Sequence, residues 1–169
     1  MITFEQDSNI FSYRVAGVVI IDNKVLLQKS VLEDFWFIPG GRCEFLELSK
    51  DTLIREMKEE IGIKVKIIRP LYFVENFFFL NEKNYHEICI FFLMELPAKS
   101  KIIFEKSTFS GKERVLCTEH GPFYKKYISP IFKWFDLDEI ENLYLYPLFL
   151  RKSLKDIKPF PEHIINHDN

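Results

Sequence analysis

A mixed α/β fold is the class this sequence predicts, and three observations carry it. Two pairs of apolar, β-rich runs are each joined by a short polar turn. One amphipathic helix lies between the pairs and is closed by a glycine. The chain has 169 residues and is 47% hydrophobic, enough for one substantial core and too little for two ordinary domains. A single domain over residues 1–169 is therefore expected.

Each element follows from local chemistry. Tyr13 to Ile21 and Lys24 to Lys29 flank Asp22-Asn23, the pattern of a hairpin. Trp36 to Ile38 reads as a short strand feeding the turn Pro39-Gly40-Gly41. A helix is expected from Ser49 to Glu60, ended by Gly62, where a left-handed residue is commonly needed. Lys64 to Phe79 and Tyr85 to Leu96 form a long antiparallel pair around the polar stretch from Asn81 to Asn84. Further on, Lys133 to Phe135 reads as a strand, Asp136 to Asn142 as a short helix capped by Asp136, and Pro147 to Ile157 as a last helix entered by proline.

Between Pro97 and Pro130 the pattern weakens around Ser110-Gly111-Lys112 and His120-Gly121-Pro122. Connections this long in a compact domain usually carry function, so residues 99–128 are expected to form a substrate-facing insertion. The plainer reading is a surface excursion packed by its own Phe104, Phe109, Phe123 and Tyr124. In the tail, His163 and His167 stand at helical i, i+4 spacing, which near a polar terminus reads as accident rather than as a metal pair.

The net charge of −2 gives no general attraction to nucleic acid or acidic lipid. No apolar run approaches the roughly 20 residues a membrane span needs, and the start lacks the order of a signal peptide, so a soluble, cytoplasmic protein is expected. Cys43, Cys89 and Cys117 are widely separated and read as ordinary reduced thiols. The sequence is compatible with a homodimer.

The chemistry concentrates in the run from Gly41 to Ile63. At about 100° per residue, Glu56, Glu59 and Glu60 fall within one roughly 100° arc, while Leu53, Ile54, Met57 and Ile61 fall on another. Like charges about 5 Å apart repel by about 3 kcal/mol at an effective dielectric near 20, and a cation relieves that strain. Hard oxygen donors select magnesium, manganese or calcium over zinc. The plain alternative is a solvated acidic face neutralised by Arg55, Lys58, Lys64 and Lys66.

The flanking residues decide between these readings. Gly41, Glu47, Arg55, Glu56, Glu59, Glu60, Gly62 and Ile63 all match the signature G-x5-E-x7-R-E-U-x-E-E-x-G-U, with Met57 in an apolar U position, so the segment resembles the Nudix box of the MutT-like hydrolases. The resemblance implies an α/β/α sandwich with a mixed central sheet. It departs in two places: Leu46 stands where many members carry Gly, and Leu48 where they carry a Ser or Thr cap. Ser49 is expected to supply the cap oxygen one residue later. A leucine at 46 disfavours positive φ, so the loop is expected to turn differently and to aim Glu47 differently.

The resemblance also implies metal-dependent hydrolysis of a phosphoanhydride in a nucleoside diphosphate linked to another moiety, with Mg2+ or Mn2+ as cofactor. Glu56 and Glu60 would be direct ligands, Glu59 would share the metal shell, and the Gly40 carbonyl would be a further ligand. Arg55 would orient a nearby carboxylate such as Glu47, the plainer role being a surface pair with Glu59. Glu56 is the first choice as general base, with Glu75 and Glu87 as candidates outside the box, because a carboxylate among aromatics has a raised pKa. His86 reads as a strand residue.

Among Phe35, Trp36 and Phe37, near the expected phosphate site, at least two are expected in the core. Marks of the ADP-ribose and dinucleoside-polyphosphate subfamilies are absent at Phe79, Leu80 and Asn81, which leaves a general MutT-like nucleotide pyrophosphohydrolase. Two alternatives stand beside it: a nucleotide-binding regulator without catalysis, and an isoprenoid diphosphate isomerase-like enzyme using Cys43 or Cys89.

Overall fold

The computed structural model describes all residues except 32, 101–107, 112, 118–123 and 169, and describes the backbone alone at 99, 113–117 and 124–128. Among the described residues, two larger sheets, a two-stranded hairpin and one substantial helix are present. The larger sheet contains β1 (Thr3–Gln6), β2 (Asn9–Val18), β5 (Gly40–Arg42), β6 (Lys66–Leu80), β7 (Lys83–Glu95) and β12 (Glu162–Asp168). Its order is β1-β2-β7-β6-β12, with β5 added to β2. It is mixed, because β2 runs parallel to β7 and β12 parallel to β6, while β6 and β7 are antiparallel. The smaller sheet has the order β3-β4-β11-β8, built from β3 (Ile20–Ile21), β4 (Lys24–Lys29), β8 (Thr108–Ser110) and β11 (Ile131–Asp136). A separate hairpin joins β9 (Glu113–Cys117) to β10 (Tyr124–Ile128).

Both expected hairpins are present, and each closes with two residues at positive φ: Asp22 at 50° and Asn23 at 62°, Asn81 at 50° and Glu82 at 62°. These are the mirror-image turns whose twist matches the strands they join. The second turn is tighter than the polar stretch suggests, since Leu80 already pairs with Lys83.

Side chains alternate across the larger sheet and build two core clusters. Val15, Phe92 and Met94 pack with Leu53 and Met57 of α1 (Ser49–Ile61) and with Phe132 of the smaller sheet. On the other face Ala16, Tyr72, Val74 and Phe91 pack with Leu145, Leu150 and Leu154. The sheet is thus held between α1 and the C-terminal turns.

Several expectations are corrected. The last helix does not run from Pro147 to Ile157: regular α-helix, α2, is confined to Leu150–Ser153. Around it the amides of Leu150, Arg151 and Lys155 bond three residues back, and Pro159 disfavours helix at the residue before it. Asp136 does not cap a helix. It ends β11, its carboxylate pairs with Lys24 at 2.9 Å, and a 3-10 turn follows at Ile140–Asn142. Trp36 and Phe37 form isolated bridges, to Leu145 and Gln28, rather than a strand through Ile38.

The tail, for which no element is expected from the sequence, is β12, so His163 and His167 lie on one face of an edge strand. There His163 meets Glu75 at 2.8 Å and His167 stacks on Phe77. Within the segment 99–128, Thr108–Ser110 is part of the smaller sheet, where Phe109 stacks on Phe132 with ring centroids 5.3 Å apart. Phe104 and Phe123 lie outside the described residues, and the side chain of Tyr124 is not described.

Candidate active site

The box loop is pinned to β2 before the helix begins. Gly17 N–H donates to the Pro39 carbonyl at 2.8 Å, and Cys43 N–H to that of Tyr13 at 3.0 Å. Two glycines make the close approach feasible. At Gly40, with φ of 156°, a Cβ would stand 2.1 Å from the Val15 carbonyl oxygen, and at Gly41 it would stand 2.1 Å from the carboxyl carbon of Glu56. The Glu56 carboxylate therefore lies directly against the backbone of β5.

Arg55 is the hub of the box. Its Nε and Nη2 donate to the two oxygens of Glu47 at 2.8 and 2.9 Å, its Nη1 to Glu56 at 2.6 Å, and its Nη2 also to the Arg42 carbonyl at 3.3 Å. Glu59 is peripheral, 3.7 Å from Nη1. The two-point pairing with Arg55, reinforced by the Thr52 hydroxyl, holds the Glu47 carboxyl down at about 2 and pushes the guanidinium up. Burial has the opposite effect on Glu56: desolvation raises its pKa, against the pull of Arg55 and Arg14.

Glu60 is the most enclosed of the three helix carboxylates, 5% exposed, and receives a hydrogen bond from Gln28 of β4 at 3.4 Å. Leu48, extended, occupies the cap position without a side-chain bond, and the Ser49 hydroxyl pairs with Tyr13 instead of capping as expected. Leu46 adopts φ of 64° despite its side chain, and Glu47 still reaches Arg55.

Beside the box opens a cavity of about 420 Å3. Arg14 and Arg42 stand at its box end, with Arg14 donating to the Gly40 carbonyl at 3.0 Å and lying over the Phe37 ring. Phe35, Phe37, Phe78, Tyr85, Tyr144 and Tyr146 supply aromatic walls, and Asn76, Glu87 and Asp168 are polar groups in the lining. Phe35 and Phe37 thus face the cavity and only Trp36 packs inward, on Phe135, which reverses the expectation for that trio.

Glu87 lies on the cavity face, whereas Glu75 lies on the opposite face of β6, so Glu75 cannot serve as base here. His86 shares that far face, stacked on Phe77. Cys43 and Cys89 are buried and burial raises both thiols, away from the thiolate an isomerase-like role requires. Arg14 and Asn76 escaped the sequence reading. A single arginine inside the apolar run YRVAGVV and an asparagine inside VENFFF were the signals available.

The donor set suits a hard divalent cation. Three carboxylates lie on α1, one half-buried with a raised pKa and one almost fully enclosed, beside a backbone carbonyl. Among the described residues, no three acidic, histidine or cysteine side chains are already gathered at metal-binding distance. Arg55 and Arg14 are the cations on Glu56 and Gly40 in this arrangement. No helix among the described residues is long and apolar enough to cross a membrane.

Comparison with known proteins agrees with this geometry. The NUDIX domain profile matches residues 12–157. The Nudix hydrolase YvcI of Bacillus subtilis (strain 168) is 30% identical over 135 residues, covering 79% of this chain and 72% of the relative. An RNA pyrophosphohydrolase of Ruthia magnifica subsp. Calyptogena magnifica is 42% identical over 57 residues, so the chain spans about a third of that relative's length, 32%. A MutT protein from Bacillus halodurans superposes with a TM-score of 0.56 at 18% identity, covering 90% of this chain and 89% of the other, a likeness of fold. Sequence profile, relatives and fold agree, and the chain belongs to the Nudix hydrolase family.

Proposed function

We propose that this protein hydrolyses a phosphoanhydride in a nucleoside diphosphate linked to another moiety, in the MutT-like manner and with magnesium or manganese. The observation that carries the reading is the meeting of two features: the Arg55-centred carboxylate helix and an aromatic cavity whose box end carries Arg14 and Arg42. One end suits phosphates and the other a base. Relatives named RNA pyrophosphohydrolase and 8-oxo-dGTP diphosphatase, each 42% identical over 57 residues, support the class of reaction.

The residues divide the work. Glu56, Glu59, Glu60 and the Gly40 carbonyl would hold the cation, and Gly41 leaves room for the Glu56 carboxylate. A divalent cation supplies stabilisation of the charge that spreads over phosphoryl oxygens, worth several kcal/mol. Arg55 keeps Glu56 aimed and is itself fixed by Glu47. Glu56 is also our first choice as base, because Arg55 and the close Gly41 backbone hold its carboxylate in one place. Arg14 and Arg42 present guanidinium groups to the substrate's phosphates.

A panel of nucleotides assayed with magnesium tests this. Release of a nucleoside monophosphate, abolished by EDTA and restored by magnesium or manganese, is the expected result. Robust turnover of metal-free protein in EDTA would overturn the carboxylate-metal mechanism.

A further inference from the structure

The floor of the cavity holds a feature that general nucleotide hydrolysis does not require. Strand register places Ser12 opposite Glu87, Glu87 opposite Asn76, and Asn76 opposite Asn166, a polar row across β2, β7, β6 and β12. Ser12 and Asn76 are 0% and 4% exposed, and Asn166 is buried with them. Residues directly opposed in a sheet have Cβ atoms about 5 Å apart. The row is bonded in two halves: the Ser12 hydroxyl donates to Glu87 at 3.1 Å, and the Asn166 amide donates to the Asn76 carbonyl oxygen at 2.7 Å.

The bonding pattern fixes what each half offers to a ligand. With its carbonyl oxygen engaged, Asn76 presents N–H donors to the cavity, and Glu87 presents a carboxylate that accepts only. An acceptor of two hydrogen bonds beside a donor is the complement of an edge reading donor, donor, acceptor. Guanine has that edge in its 2-amino group, N1–H and O6. Adenine and cytosine offer one amino donor beside a ring-nitrogen acceptor, so they can engage only one carboxylate oxygen, and uracil sets a carbonyl against the second; only guanine brings a donor to both.

On this basis, and resting on the nucleotide-hydrolase reading above, we propose that Glu87 and Asn76 read the base edge of the substrate and select guanine nucleotides. Glu87 accepts from N1–H and the 2-amino group, and Asn76 donates to O6. The neighbouring rings Phe78 and Tyr85, stacked with centroids 4.6 Å apart, wall the same floor. Arg14 follows Ser12 by two residues on β2, about 7 Å along the strand, which a ribose spans toward the phosphate end. Asp168 has a different task, since its carboxylate holds the Leu148 amide at 3.2 Å.

The test is calorimetric titration of the full chain with GMP, IMP, AMP and UMP, beside kcat/KM for GTP, ITP and ATP with magnesium. GMP is expected to bind at least about tenfold more tightly than IMP, which lacks only the 2-amino donor, and about a hundredfold more tightly than AMP. Glu87→Gln should bring GMP down to the level of IMP. Equal binding of GMP and AMP, a guanine preference that survives Glu87→Gln, or no binding of any monophosphate would overturn the proposal. Should the variant fold poorly, the GMP to IMP ratio on the unaltered protein decides alone. Equal hydrolysis of GTP and ATP sinks the guanine reading and leaves the hydrolase reading standing, whereas selective GMP binding without any hydrolysis does the reverse.

Discussion

The box helix and the floor of the cavity both concentrate polar groups, but they assemble them in opposite ways. In α1 the partners are close along the chain: Arg55 gathers Glu47, Glu56 and Glu59 from within eight positions of itself. On the floor, Ser12, Glu87, Asn76 and Asn166 come from strands far apart in sequence and meet only through register. The helix can change a charge without losing its frame, since the backbone bonds that hold it are its own. The floor cannot, because each side chain there is partnered across a strand boundary. Mutations should therefore separate function from stability in α1 and couple them on the floor.

The largest expected effect lies in the helix. Glu60→Gln keeps shape and helix preference but removes a charge that is 5% exposed, so activity should fall by at least about two orders of magnitude, roughly 3 kcal/mol. The metal-free melting temperature should hold steady or rise as repulsion with Glu56 and Glu59 is relieved. Melts with and without magnesium, beside one activity assay, check both halves. Near-normal activity would remove Glu60 from the site, and a clear loss of metal-free stability would break the separation claimed for α1.

Glu47→Gln is next, and its effect should depend on pH. The folded carboxyl ionises at about 2 against an ordinary 4.5, so its contribution is fully present above about pH 4.5 and is lost as pH falls toward 2. A shift of that size corresponds to about 3 kcal/mol at neutral pH. Part of it survives in the variant, because the amide still accepts one bond from Arg55. Urea melts of both proteins at pH 7, 4 and 2.5 should show a gap of about 2 kcal/mol that closes with acidification. A gap constant across that range would assign the stability to something other than the ionised pair.

The same contrast explains what the sequence disclosed. The carboxylates on one arc of α1, the closing Gly62 and the Asp22-Asn23 turn are local patterns and were legible, whereas the second turn showed its place but not its two-residue length. Arg14 and Asn76 were not, since an arginine in a strand acquires meaning only once Gly40 and the cavity stand beside it. The same holds for β12, which goes unread until its parallel pairing with β6 is known. Glu75 and Glu87 looked equivalent as glutamates in aromatic strands, and side-chain alternation put them on opposite faces. The proline entry at Pro147 suggests a longer helix than α2, whose surrounding turns bond three residues back.

On the floor, Asn166→Ala should show the coupling that α1 avoids. It removes the donor to the buried Asn76 carbonyl oxygen and should cost about 1–2 kcal/mol. A freed Asn76 amide can rotate, so KM should rise while kcat changes little. Denaturant melts and steady-state kinetics on one preparation measure both. Loss of stability with unchanged KM would reduce the row to a structural network.

The smallest effect concerns the loop that leads into α1. Leu46 is fully exposed and sits at φ of 64°, a conformation that costs a side-chain-bearing residue about 1 kcal/mol. Leu46→Gly removes that cost but gives the unfolded chain more freedom, so the net gain should be only about 0.5 kcal/mol. Leu46→Asn, which tolerates this conformation with less unfolded-state freedom, should gain slightly more. Activity should not change in either variant, because Glu47 is positioned by Arg55 and Thr52 rather than by the residue before it. Thermal melts and kcat/KM on the two variants decide the point. A several-fold rise in activity would mean that Leu46 misdirects Glu47 after all, and that the box depends on its loop as the floor depends on its register.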